Sequence, residues 1–157
     1  MAEIHVLKGS GQFSCLGLGS CIGLAAYDPS TKVAAMIHVM LPKAFDNTKP
    51  DKLGKFADTG VPEMIRMMKS AGANTSRLQV ALAGGAQVFK FGSEKPRLDI
   101  GDRNTEAVKE QVKAFGMKVI AEDTGGNLGR TVIYTVESGE IRVRTVSQGE
   151  CVLCTLR

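Results

Sequence analysis

Apolar residues in the first forty positions come in short runs separated by polar or glycine-rich breaks. Ile4 to Leu7 and Phe13 to Leu18 are brief, whereas Ile22 to Tyr27 and Lys32 to Met40 are longer. Runs of this length, bounded by turn residues, read as strands. Asp28-Pro29-Ser30-Thr31 lies between the two longer runs, with Asp and Pro at the positions a type I turn favours, and predicts a β-hairpin. The pattern then changes to helical spacing. Val61, Met64, Ile65 and Met68 form one stripe, with Asp58 as the expected N-cap, Pro62 in the first turn and Gly72 at the stop. Val108, Val112 and Phe115 form a second stripe, starting near Asn104 and ending at Gly116. Leu78 to Ala83, Met117 to Ala121, Thr131 to Val136, Ile141 to Val146 and Cys151 to Leu156 predict further strands, with Glu137-Ser138-Gly139-Glu140 as a hairpin turn. Pro42 to Lys55 is polar and turn-rich and reads as a long surface loop. The expected architecture is a layered α+β fold: a mostly antiparallel β-sheet system carrying two principal helices.

Composition narrows the picture. A length of 157 residues fits one domain over residues 1–157. Hydrophobic residues make up 43% of the chain, enough for a core without metal or disulfide staples. Tryptophan is absent, so aliphatic side chains and methionine must supply most of the packing. No apolar run is long enough to span a bilayer, and the opening residues lack the basic and apolar regions of a secretory leader, so a cytoplasmic protein without membrane insertion is expected. The formal net charge of +4 comes from scattered Lys and Arg, a mild tilt toward acidic partners and not a nucleic-acid footprint. In a reducing compartment the four cysteines, at 15, 21, 151 and 154, should be free thiols.

The segment richest in chemistry is Leu16-Gly17-Leu18-Gly19-Ser20-Cys21-Ile22-Gly23. Glycines on both sides of a Ser-Cys pair permit a tight turn, which can expose the thiol beside backbone N–H groups able to hold an oxyanion. Hairpin register offers a partner. With a loop of Asp28 to Thr31, Tyr27 pairs with Lys32, and the same count outward sets Cys21 opposite His38. An imidazole there could take the thiol proton and make the nucleophilic thiolate. The same residues also suit a plain core, as a small buried thiol and a satisfied histidine. His5 is expected at the surface or on an edge strand. The glycine spacing does not match a dinucleotide loop, a phosphate-binding loop or a serine-hydrolase elbow. Cys151-Val152-Leu153-Cys154 has the gap of a zinc or redox pair, but strand alternation would set the two thiols on opposite faces, which favours packing; no metal or cofactor is called for. Ala83-Gly84-Gly85-Ala86, Ile100-Gly101-Asp102-Arg103-Asn104 and Asp123-Thr124-Gly125-Gly126-Asn127 read as glycine-rich loops, either simple turns or the walls of one cleft.

Taken in order, these pieces resemble the CheD family of chemoreceptor glutamine deamidases. The resemblance rests on Leu16 to Cys21, Met36-Ile37-His38-Val39-Met40-Leu41-Pro42, Lys55-Phe56-Ala57-Asp58, Ala83 to Ala86, Ile100 to Asn104, and Ala121 to Asn127 with Gly129-Arg130. It implies a fold like that of deamidating bacterial toxins and hydrolysis of receptor glutamines to glutamate with release of ammonia. Cys21 would be the nucleophile and His38 the base, with Gly19, Ser20, Gly84 and Gly85 as oxyanion or substrate-binding candidates. The implied partners are chemoreceptor cytoplasmic helices and a CheC-type phosphatase; receptor methylesterase activity, or a purely regulatory binding role, are the alternatives. The family usually carries a threonine six residues before the nucleophile to orient the histidine. Cys15 stands there in this chain, and a thiol is a weaker hydrogen-bond partner than a hydroxyl. Either Cys15, Ser20 or a backbone carbonyl orients His38 instead, or activity is reduced.

Overall fold

The computed structural model describes residues 1–44, 51–88 and 99–157. Part of the expected surface loop, residues 45–50, lies outside the described residues. The predicted strands and helices are present, and they build two sheets. The first contains β1 (Ile4–Lys8), β3 (Ile22–Asp28), β4 (Val33–Val39), β5 (Gln79–Gly84) and β6 (Lys118–Thr124), in the order β1-β4-β3-β5-β6. Only the β5–β6 pair is parallel. The second sheet is antiparallel throughout and runs β2 (Gln12–Leu18), β7 (Arg130–Thr135), β8 (Glu140–Thr145), β9 (Gly149–Thr155). With α1 (Ala57–Ser70) and α2 (Ile100–Ala114), this is the α+β fold expected from the sequence.

Two apolar layers explain why β3 and β4 read as continuous hydrophobic runs. Ile22, Leu24 and Ala26 of β3, with Val33, Ala35, Ile37 and Val39 of β4, pack against Val61, Met64 and Met68 of α1 and Val108 and Val112 of α2. The opposite faces, Ala25, Ala34 and Met36, pack against Phe13, Cys15 and Leu18 of β2 and Val132 and Tyr134 of β7. Strands covered on both sides lose the alternation that a half-exposed strand would show.

The hairpin register differs from expectation. The closing pair is Asp28↔Val33, and the ladder runs through Ile22↔Val39, so His38 is opposite Gly23 and not Cys21. The cause is Asp28, which belongs to the strand and not to the turn. Its buried carboxylate accepts from the N–H groups of Ser30 (3.0 Å) and Asn74 (2.8 Å) and from the Arg77 guanidinium (3.0 and 2.7 Å). The loop is therefore Pro29 to Lys32, closed by Lys32 N–H to the Asp28 carbonyl at 2.9 Å with Lys32 at φ +57°. A shift of two residues keeps every side chain on its predicted face.

The helix starts also moved. Phe56 precedes α1, and Asp58 sits in its first turn, where its carboxylate accepts from Ala44 N–H at 3.0 Å instead of capping. Ile100 to Asn104, expected as a loop, forms the first turn of α2, with Asp99 as its cap. Gly101 permits this packing: a Cβ there would lie 2.5 Å from the carbonyl oxygen of Gly85. In β9 a bulge between the Ile141↔Cys154 and Arg142↔Val152 pairs puts Cys151 opposite Val143 and Cys154 opposite Ile141, residues on one face of β8. The alternation argument that separated those two thiols is thus undone by one extra residue. Among the described residues, no helix is long and apolar enough to cross a membrane, and no group of three His, Cys, Asp or Glu side chains is placed to hold a metal ion.

Candidate active site

Cys21 stands in the turn between β2 and β3, and the protein body holds that turn from behind. The Gly19 carbonyl accepts from Ala86 N–H (2.8 Å), the Ser20 carbonyl from the Asn104 side-chain amide (2.8 Å), and the Cys21 carbonyl from Gly85 N–H (2.8 Å). Three successive carbonyls are thereby turned into the structure. In a planar trans peptide the next residue's N–H points opposite to the carbonyl. The Ser20 N–H therefore points away from Ala86 and the Cys21 N–H away from Asn104, and among the described residues neither donates to a protein acceptor.

A cleft of about 510 Å³ opens at this turn, lined by Gly17, Gly19, Ser20 and Cys21, by Ala86 to Val88, and by Asp99, Ile100 and Gly129. Of the three glycine motifs, Ala86 and Ile100 line this cleft, while Gly84, Gly85 and residues 123–127 do not and are tied to it through backbone bonds. Gln87 N–H donates to the Gly126 carbonyl at 2.8 Å and Gly125 N–H to the Gly84 carbonyl at 2.9 Å. Arg130, buried, reaches the carbonyls of Gly84 (3.4 Å), Gly125 (2.9 Å) and Leu128 (3.2 Å), and its other arm pairs with Asp123 at 3.0 Å. Gly84 and Gly85 thus meet the turn through backbone. At Gly84, with φ +118°, a Cβ would stand 2.1 Å from the Cys21 carbonyl oxygen, so glycine is required there.

His38 occupies the layer between the sheets, on the same side of β4 as Met36 and on the face toward which Cys21 packs. It lines a second cavity of about 350 Å³, shared with Cys15, Glu3, His5, Gln12 and Ser14. Cys21 does not line this cavity, and His38 does not line the cleft. The ladder ends at Ile22↔Val39, so Cys21 lies one residue beyond it, on the same inter-sheet face as His38 but not as its ladder partner. The His38 Nε2 is buried with no hydrogen-bond partner among the described residues. Cys15 is placed to pack over Gly23, with Sγ 3.6 Å from where a Cβ on that residue would be. His5, as expected, lies on edge strand β1 and bonds the Glu3 carboxylate at 3.0 Å.

Burial sets the protonation states. It pushes the thiol of Cys21 above its ordinary value, pushes Cys15 up to about 11, and lowers the imidazole of His38. Both directions favour the protonated thiol at Cys21 and the neutral imidazole at His38.

The family model described as CheD chemotactic sensory transduction matches residues 40–145. Across a longer stretch, the chain is 47% identical over 150 residues to the chemoreceptor glutamine deamidase CheD of Thermotoga maritima, covering 96% of this chain and 92% of that one. It is 42% identical over 148 residues to the probable chemoreceptor glutamine deamidase CheD of Lachnoclostridium phytofermentans, covering 94% and 92%. A similarly named protein of Caldanaerobacter subterraneus is 46% identical over 152 residues, covering 95% and 92%. The chain belongs to the CheD family. The stretch matched by the family model begins at Met40, after Cys21 and His38, whereas the alignments with these relatives extend over most of the chain.

Two residues that support the Gly19-Ser20-Cys21 turn, Arg130 and Asn104, stood in the sequence only as members of quoted motifs and were given no role there. Arg130 joins the glycine loops, and nothing local in the sequence announces that role. Asn104 carried a signal: it precedes Val108 and Val112 at four-residue spacing, so a polar side chain stands on the buried stripe of α2.

Proposed function

We propose that this chain hydrolyses glutamine side chains of chemoreceptors to glutamate, with Cys21 as nucleophile and His38 as base. The observation that carries the proposal is the Gly19-Ser20-Cys21 turn, whose three carbonyls are bound from behind while two N–H groups are left for a ligand beside the thiol. That is the arrangement an oxyanion needs. The names of the related proteins supply the substrate class.

In this reading the receptor carboxamide enters the cleft and its carbonyl oxygen meets the N–H groups of Ser20 and Cys21. His38 takes the thiol proton as sulfur attacks the carbonyl carbon. It then gives that proton to the departing nitrogen, releasing ammonia and leaving a thioester. Water attacks the thioester with His38 again as base, which frees glutamate and restores the thiol. Cys15 is the candidate third member because it shares the cavity of His38. A substrate on the receptors' cytoplasmic helices would be met in the cytoplasm, and the family resemblance implies a CheC-type phosphatase as a second partner.

The test is mass spectrometry of glutamine-bearing peptides from a chemoreceptor cytoplasmic fragment, treated with wild type or Cys21→Ala. An amide-to-acid mass gain with wild type alone is expected. The same gain with Cys21→Ala removes Cys21 as nucleophile, and no gain with either, on a folded fragment that a working deamidase modifies, favours a regulator that binds without chemistry.

A further inference from the structure

Asp28, Asn104 and Arg130 are the buried polar side chains among the described residues. Asp28 fixes the hairpin, and Arg130 ties the glycine loops. Asn104 is in the first turns of α2, where an apolar residue would continue the stripe. Its amide nitrogen donates to two backbone carbonyls from separate segments, Ser20 at 2.8 Å and Met40 at 2.9 Å.

These carbonyls mark where the sheet stops. The β3–β4 ladder ends at Ile22↔Val39. Beyond it, the chain carrying Cys21 and the end of the strand carrying His38 have no rung between them. Asn104 spans both segments at that point. The Ser20 carbonyl it holds belongs to the peptide whose N–H is that of Cys21, so the same bond sets the direction of that N–H.

We infer that Asn104 is a positioning residue of the active site, fixing the Cys21 turn relative to the His38 strand and aiming the Cys21 N–H. The inference rests on the Cys21–His38 reading above. An apolar replacement would fill the space but leave both carbonyls without a donor, and the two segments would move independently.

The decisive measurement is the alkylation rate of Cys21 by iodoacetamide, resolved by peptide mass spectrometry, in wild type, H38A, N104L and the double variant. H38A should slow alkylation in the wild-type background and change it by no more than about twofold in the N104L background, the scatter of independent substitutions. In receptor deamidation, N104L should lose about 100-fold in kcat, the scale of an ångström-level misplacement, with KM little changed. V108A, on the same stripe and buried in the helix-facing layer, controls for destabilisation and should keep its kcat where it is folded.

N104D is nearly isosteric and serves if N104L does not fold. Its ionised carboxylate cannot donate, so its activity relative to wild type should rise as pH is lowered and one donor returns. Equal slowing by H38A with and without Asn104, a V108A loss matching that of N104L, or an N104D ratio that is flat with pH would each overturn the assignment. Wild type indifferent to H38A would instead remove the Cys21–His38 reading itself.

Discussion

Gly84→Ala tests how finely the backbone beside Cys21 is set. The added Cβ would lie 2.1 Å from the Cys21 carbonyl oxygen, whereas real contacts of this kind stay above 3.0 Å, so one of the two must move by 3.0 − 2.1 = 0.9 Å. Neither side has an easy escape. Gly84 lies in the β5 ladder opposite Ile22, its carbonyl is held by Gly125 N–H, and the Cys21 carbonyl is held by Gly85 N–H. The φ of +118° adds backbone strain, of order 1–3 kcal/mol. Overpacking adds a cost typically in the range of ~1–3 kcal/mol. The sum, about 2–6 kcal/mol, is a substantial part of a domain stability of roughly 5–15 kcal/mol, so activity is compared at a urea-free condition where unfolding curves show the variant folded. If Cys21 is the nucleophile, as proposed, activity should suffer more than stability, because a shift near 1 Å there costs about 100-fold in rate. The assay is receptor deamidation by mass spectrometry, with urea unfolding as the measure of stability. Gly116→Ala is the matched control: φ is +65° there, but nothing lies within 4 Å of the added Cβ. It should lose stability and keep its activity. Full activity in Gly84→Ala, or equal loss in Gly116→Ala, would refute the claim that Gly84 is kept for the position of Cys21.

Three further outcomes are expected. Burial alone would raise the carboxyl of Asp28, but the Arg77 guanidinium and the Asn74 and Ser30 N–H groups outweigh it and hold it well below the usual carboxylate range; its stabilising contribution is present above an unfolded value of about 3.9 and is lost as pH falls through the folded one. Asp28→Asn should therefore cost about 2 kcal/mol at pH 7 and flatten the acid side of the stability profile, read from urea midpoints; an unchanged profile would count against this ion pair. Because burial lowers His38, the acid limb of kcat/KM should fall below the ordinary imidazole value of about 6.5, and a limb at or above that value would contradict the neutral resting pair. Cys15→Thr should raise kcat by giving the His38 ring a hydroxyl partner in their shared cavity, and an unchanged kcat would take position 15 out of the orienting role.

What the sequence made legible follows from how each feature is encoded. Strands and helices are written in short-range periodicity, so the β3–β4 hairpin and both helical stripes could be read directly. Register is not local in that sense. It turned on Asp28, whose carboxylate is held by Arg77 and by the backbone of Asn74, residues on the far side of α1 in the chain. The error of two residues preserved the parity of the ladder, which is why Cys21 and His38 still fall on the face toward the second sheet although they are not directly opposed. An error of one would have sent the imidazole into the helix-facing layer. The sequence left open whether the glycine motifs were separate turns or one set, because what joins residues 83–86 to 123–127 is Arg130, gathering three carbonyls and one carboxylate, whereas Ile100 to Asn104 proved to be helical. Asn104 was readable in principle. The donor end of a buried amide on an apolar stripe calls for acceptors, and in this fold they are the Ser20 and Met40 carbonyls just beyond the β3–β4 ladder, while its oxygen is buried without a partner among the described residues. A polar residue breaking an otherwise buried helical face is thus a site signal of the same kind as the glycines around the thiol. Each marks a place where local preference yields to a geometry needed elsewhere.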